Sequence, residues 1–106
     1  MFMEKKKKKE KLNKKYKLYK YLKNYHTGKH NAIVCKQLEL VMRMDEKDIR
    51  WLVRSLRKEG FPICSCCYGY FYPDSYTEIV ETATRFNKYV GTLMTTSSYL
   101  LNASLR

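Results

Sequence analysis

The chain has 106 residues, of which 44% are hydrophobic, so it can build one compact domain and is too short for two. No apolar run reaches the roughly 18 residues of a membrane span, and no apolar segment follows the lysine-rich N-terminus as it would in a signal peptide. Lysine and arginine total 22 against 10 aspartate and glutamate residues, and this net charge of +12 favours a polyanionic partner.

Most of the charge lies in residues 1–25, which contain 11 lysines and two glutamates. Residues 1–11 form a charge run that nothing apolar anchors, which predicts a flexible basic arm or the frayed start of a helix. Such an arm either contacts DNA phosphates or only keeps the protein soluble. On the first interpretation, five consecutive lysines make the contacts: Lys5, Lys6, Lys7, Lys8 and Lys9.

Two helices are predicted next. Helical spacing begins at Leu12 and ends before Gly28, and it places Leu18, Leu22 and Tyr25 on one face of a first helix. A second, short helix is predicted from Val34 to Met42, with three residues facing the core: Val34, Leu38 and Val41. Residues 31–33 before it form either a very short strand or the helix cap.

The third predicted helix begins after the N-cap residue Asp45, runs to Lys58 and stops at Gly60. On a helical wheel of about 100° per residue, Ile49 and three residues within about 60° of it form an apolar side: Leu52, Val53 and Leu56. The opposite arc, between about 80° and 180°, carries only cations: Lys47, Arg50, Arg54, Arg57 and Lys58. An ordinary solvated face usually mixes charges of both signs, so this separation favours a nucleic-acid face.

Two β-prone runs, residues 61–65 and 70–72, flank a turn that contains Gly69, and this pattern predicts a β-hairpin. Three helices followed at once by a hairpin is the element order of a winged helix-turn-helix. Residues 45–73, DEKDIRWLVRSLRKEGFPICSCCYGYFYP, resemble the recognition helix and wing of small winged-helix proteins, including biotin-repressor-type N-terminal domains and many small phage-encoded proteins.

The resemblance depends on the helix end LRKEG (residues 56–60), on Pro62-Ile63 and on the aromatic return strand 70–72. It covers residues 16–73 and departs from the family at the wing tip, Cys66-Cys67-Tyr68, where small polar residues are usual.

The cationic side of the third helix has the chemistry of a DNA contact. Arginine can fork two hydrogen bonds to guanine, whereas lysine neutralises phosphate as a point charge. Arg50 and Arg54, one turn apart at the centre of the face, are therefore predicted to contact bases. Phosphate contacts are predicted for Lys47, Arg57 and Lys58. Tyr68, at the wing tip, is included among the DNA-contact residues.

The cysteines at positions 35, 64, 66 and 67 are too closely clustered for clean disulfide pairing, which predicts reduced thiols in the cytoplasm. His26-x3-His30 and Cys64-x2-Cys67 have spacings that zinc uses. A wing already accounts for residues 61–73, however, so we expect no metal and no other cofactor. The sequence also lacks a phosphate loop, a serine elbow and a convincing pair of acids, so we expect no enzyme.

Residues 74–106 are predicted to form a long C-terminal helix opened by Asp74 or Ser75. Apolar and small residues follow the 4-3 spacing of a coiled-coil seam: Ile79, Ala83, Phe86, Val90, Leu93, Ser97 and Leu100. A helix of roughly 45 Å is too long for the preceding residues to cover. Its uncovered apolar stripe needs a second copy of the chain, which predicts a homodimer. The alternative is that its first half packs on the first helix and the rest frays.

The predicted fold class is therefore mainly α with a small β-hairpin: a winged helix-turn-helix in residues 12–73, followed by a long C-terminal helix. The resemblance and the charge imply a sequence-specific double-stranded DNA-binding protein, a small transcriptional regulator of phage or mobile-element type acting as a dimer. Two alternatives stay open. One is a winged-helix module that binds a protein partner, such as a phage-encoded inhibitor of a host complex, and the other is an RNA-binding protein.

Overall fold

The computed structural model describes the backbone of residues 2–103 and the side chains of residues 13–103. Its elements are α1 (Phe2–Tyr25), α2 (Cys35–Met42), α3 (Glu46–Lys58), β1 (Cys64–Cys66), β2 (Gly69–Phe71) and α4 (Tyr76–Leu101), with a 3-10 turn at Lys29–Asn31. The predicted fold class, mainly α with a small hairpin and a long C-terminal helix, is confirmed. No helix in this described part is long and apolar enough to span a membrane.

Helix α1 begins at Phe2, well before Leu12, where the hydrophobic pattern predicted its start. Lysine and glutamate are good helix formers, so the charge run continues the helix. The side chains of the arm lysines, residues 5–9, lie outside the described part of the chain. Leu18 and Leu22 are fully buried as predicted, but Tyr25 is exposed because it ends the helix at the edge of the core, with its ring against Tyr21.

The first three helices enclose one hydrophobic core, to which α2 contributes Leu38 and Met42. The prediction that Val34 and Val41 face this core is wrong, since both are exposed. Val34 has extended backbone and precedes the helix as its N-cap. The buried face follows the four-residue spacing from Leu38 to Met42, which turns Val41 outward.

Helix α3 has the predicted bounds. Its N-cap residue, Asp45, accepts a hydrogen bond from the Asp48 N–H at 2.9 Å, which satisfies one of the unpaired donors of the first turn. The whole predicted apolar side is buried: Ile49, Leu52, Val53 and Leu56. The helix is therefore fixed in rotation, with its cationic arc turned away from the core.

Strands β1 and β2 pair antiparallel with Cys64 opposite Phe71, and Cys67 and Tyr68 form the turn. Pairing begins at Cys64 and not at Phe61, whose ring packs against the Tyr19 ring of α1 with the ring centres 4.5 Å apart. A third segment joins this small sheet: Ile33 exchanges two backbone hydrogen bonds of 2.9 Å with Tyr70. Of residues 31–33, only Ile33 pairs with the sheet, as a single β-bridge, while Asn31 ends the 3-10 turn and the N-cap of α2 is Val34, so these residues form neither a strand nor the cap.

Gly69 sits where the hairpin passes closest to that third segment. Its φ is +121°, and a Cβ at this position would lie 1.9 Å from the carbonyl oxygen of Ile33. Because that neighbour is backbone, no side chain can swing aside to make room. Only glycine fits the close approach.

Helix α4 is anchored along its first turns to the preceding helices and hairpin, residues 12–73, which we call the head. The Glu78 carboxylate accepts hydrogen bonds from the Asp74 N–H at 2.7 Å and the Lys29 N–H at 2.8 Å. Thr82 is buried, and its hydroxyl donates to the carbonyl of Ser65 in β1 at 3.5 Å. The helix thus packs on β1 rather than on α1. Every described residue after Thr82 is exposed.

Candidate nucleic-acid interface

The outer face of α3 presents four of the five predicted contact residues to solvent: Lys47, Arg50, Arg54 and Lys58. Arg50 forms an ion pair of 2.5 Å with Glu46 one turn earlier, and both side chains are more than half exposed. Exposed pairs of this kind contribute at most about 1 kcal/mol. The Arg50 guanidinium can therefore exchange this carboxylate for another acceptor at little cost.

Arg57, the fifth predicted contact residue, differs from the others because it is half-buried. Its Nε donates to the carbonyl of Ile63 at 2.8 Å, and an Nη donates to the hydroxyl of Ser65 at 3.2 Å. Burial lowers the pKa of this guanidinium from its usual value, and the nearby charge of Arg85 acts in the same direction. Arg57 therefore joins α3 to β1, a structural role in addition to the predicted phosphate contact.

An open groove of about 470 Å³ lies between α3 and the hairpin. Arg50 and Arg57 line it from α3, the stretch 65–67 and Tyr70 line it from the hairpin, and Arg85 closes one side from α4. Three guanidinium groups from two distant parts of the sequence thus border one concave surface. Sequence reasoning did not single out Arg85, because no local pattern shows that α4 crosses β1.

Tyr68 stands at the hairpin turn with 63% of its surface exposed, consistent with a residue that could reach a ligand. Its backbone N–H donates to Cys66 Sγ at 3.4 Å, which helps to define the turn.

The four residues whose spacing zinc could use, His26, His30, Cys64 and Cys67, do not come together in the structure. His26 is held by Asn31, whose carbonyl lies 2.8 Å from Nδ1, and by the Tyr21 hydroxyl. Cys64 is buried, its Sγ donates to the carbonyl of Glu78, and burial raises the pKa of its thiol. Among the described residues, no three His, Cys, Asp or Glu side chains come together as a metal ion requires.

The structure divides the predicted seam of α4 into two parts. Ile79 and Ala83 line an open hollow that α4 shares with residues 60–64 of its own chain. Further along, Val90, Leu93 and Leu100 are 52%, 49% and 72% exposed. Only the second part is thus available to another chain, as an apolar stripe that Ser97 interrupts.

Comparisons with protein-family models, curated proteins and solved structures found no match to this chain. The described residues define a small, mainly α protein that presents a helix with a basic outer face beside a hairpin. Its function is inferred from that surface.

Proposed function

We propose that the protein binds double-stranded DNA sequence-specifically through α3, and that it acts in the cytoplasm as a dimeric transcriptional regulator of the winged helix-turn-helix type. One observation carries the proposal: the buried face of α3 is entirely apolar, while its outer face carries cations, with acidic residues only in its first turn. Such a helix is held rigidly by the core and can enter the major groove with its cations towards the bases and phosphates.

Arg50 and Arg54 are assigned to base edges and Lys47 and Lys58 to phosphates. Both arginines are exposed and lie one turn apart, the spacing at which two side chains of one helix reach neighbouring base pairs. Burial of Ile49 and Val53 beside them fixes the direction in which they leave the helix.

The proposal is tested by selecting sites from a random duplex library and comparing affinities at fixed salt. The selected duplex, a scrambled duplex, its single strands and an RNA duplex of equal length are the ligands. We expect the selected duplex to bind at least 10³-fold more tightly than the scrambled one. Equal affinity for the two duplexes, or preference for RNA, would contradict the proposal. Failure to bind all four would favour the protein-interaction alternative.

Deleting residues 1–9 should weaken duplex binding mainly at low salt. The deletion removes five lysines and one glutamate and leaves in place every core residue that the structure describes. Fewer counterions are then released on binding, so the plot of log affinity against log salt should become shallower. The measurement is a salt titration by fluorescence anisotropy.

A matched variant in which Lys5 to Lys9 are all changed to glutamine separates charge from length. It should reproduce the shallower slope while keeping the full chain. An unchanged slope in both variants would mean that the arm only keeps the protein soluble.

Homodimerisation is proposed for the exposed stripe of α4. Replacing Val90 and Leu93 together by lysine should convert a dimer to a monomer, because charges would then face each other along the seam. The control replaces Thr92 and Thr95, on the opposite side of the helix, by lysine and should leave the dimer intact. Sedimentation equilibrium at tens of micromolar protein measures both. A wild-type monomer under these conditions would contradict the prediction.

A further inference from the structure

Two arginines that are distant in sequence share one hydroxyl group at the edge of the groove. Arg57 of α3 and Arg85 of α4 each donate an Nη hydrogen bond to Ser65 Oγ, at 3.2 Å and 3.0 Å. A serine hydroxyl offers two acceptor lone pairs, so these two donors fill its capacity as an acceptor. The Arg57 Nε donates to the carbonyl of Ile63. The other N–H donors of the two guanidinium groups are left for other acceptors.

The same two guanidinium groups also lie over one aromatic ring. The Cζ atoms of Arg57 and Arg85 are 5.1 Å and 5.7 Å from the centre of the Phe86 ring. Cation–π contacts at these distances hold both groups in place. The cluster is therefore preorganised: binding a ligand would cost little further side-chain entropy.

Among the described residues, no carboxylate forms an ion pair with either of these two arginines. In the part of the chain that the structure describes, ion pairs join Lys15 to Glu59 and Arg50 to Glu46, and neither Arg57 nor Arg85 takes part. Glu81, one turn before Arg85 on α4, lines a neighbouring hollow with it without forming an ion pair. Holding two like charges together beside a half-buried side chain is unfavourable unless an anion completes the site.

We infer that Arg57 and Arg85, held by Ser65 and Phe86, form a phosphate-binding site on the wall of the groove between α3 and the hairpin. Guanidinium forks match the geometry of phosphate oxygens, and two forks can surround one phosphate from two sides. The groove is open and its volume of about 470 Å³ accommodates a phosphate group. That this phosphate belongs to the DNA backbone rests on the proposed function; a free phosphate would use the same two groups.

The test uses the full chain and two charge-matched variants. Arg85→Gln removes one guanidinium from exposed α4 and leaves the half-buried Arg57 in place. Lys20→Gln removes one positive charge from α1, where Lys20 lines a separate groove with Tyr16 and Tyr21. In the duplex assay, we expect Arg85→Gln to lower affinity about five- to tenfold for all sequences and to reduce the salt slope by about one. Lys20→Gln should change affinity by less than about twofold.

A second measurement uses inorganic phosphate alone, followed through the arginine Nε–H resonances in NMR spectra. Saturable shifts of the Arg57 and Arg85 signals are expected in the wild type, and loss of the Arg57 shift is expected in Arg85→Gln. Phosphate binding without duplex binding would support the site with a free phosphate as ligand and contradict the proposed function. Duplex binding with equal effects of the two variants, together with no saturable phosphate shift, would overturn the site and leave the proposed function standing.

Discussion

Replacing Gly69 by alanine is expected to destabilise the protein by more than about 3 kcal/mol. The added Cβ would lie 1.9 Å from the Ile33 carbonyl oxygen and 2.8 Å from the Val34 nitrogen, and φ at this position is +121°. Relief requires the hairpin to move away from residue 33, which breaks both backbone hydrogen bonds to Tyr70. Urea denaturation followed by circular dichroism measures the loss.

Two other glycines provide matched controls for the same substitution. Gly60 has a φ of +98° but nothing within 4 Å of the added Cβ, so Gly60→Ala should cost only about 1–2 kcal/mol of backbone strain. Gly91 lies within α4 in open space, where alanine should stabilise the helix by roughly 0.5–1 kcal/mol. Equal losses for Gly69→Ala and Gly60→Ala would contradict the close approach of the hairpin to Ile33.

Replacing Arg50 and Arg54 together by alanine is expected to abolish the preference for a selected DNA site. Each bidentate contact to guanine is worth about 1–3 kcal/mol, so the pair accounts for most of the discrimination. Neither side chain contributes to the core, and the fold should survive the change. Anisotropy titrations with selected and scrambled duplexes measure the effect.

The matched control is Lys47→Ala with Lys58→Ala, which removes the same charge from the same helix. This variant should weaken binding to both duplexes alike, because phosphate contacts carry little sequence information. If the double arginine variant kept full affinity for the selected duplex, the assignment of α3 as the helix that contacts the bases would be wrong.

Helix α3 could be predicted to the residue because its signals are local. The N-cap Asp45, the apolar spacing and the stop before Gly60 all lie within or beside the element, and they agree with one another. Helix α2 is only eight residues long, so its inner face rests on two positions, and the prediction chose Val41 where the fold uses Met42. For α1, the apolar spacing begins at Leu12 although the helix begins at Phe2, because a run of charged residues with good helix propensity carries no apolar pattern.

The candidate site is predictable only in part for a related reason. The cations of α3 share one arc, and that arc is visible in the sequence of one helix. The contacts among Arg57, Ser65 and Arg85 depend on how α4 crosses β1, and such a crossing leaves no periodic signal. The structural role of Arg57 is visible only in its hydrogen bonds to Ile63 and Ser65. The DNA contacts themselves stay a prediction.

The uneven anchoring of α4 gives one helix two very different local stabilities. Near Thr82 the helix is tied to β1, so its amide hydrogens should exchange with solvent only when the head itself unfolds. Beyond Phe86 every described side chain is exposed, and opening from the C-terminal end sacrifices backbone hydrogen bonds but little apolar burial. Any partner that covers the far half would extend slow exchange towards Leu101, so the point along α4 where protection ends measures how much of the helix is occupied.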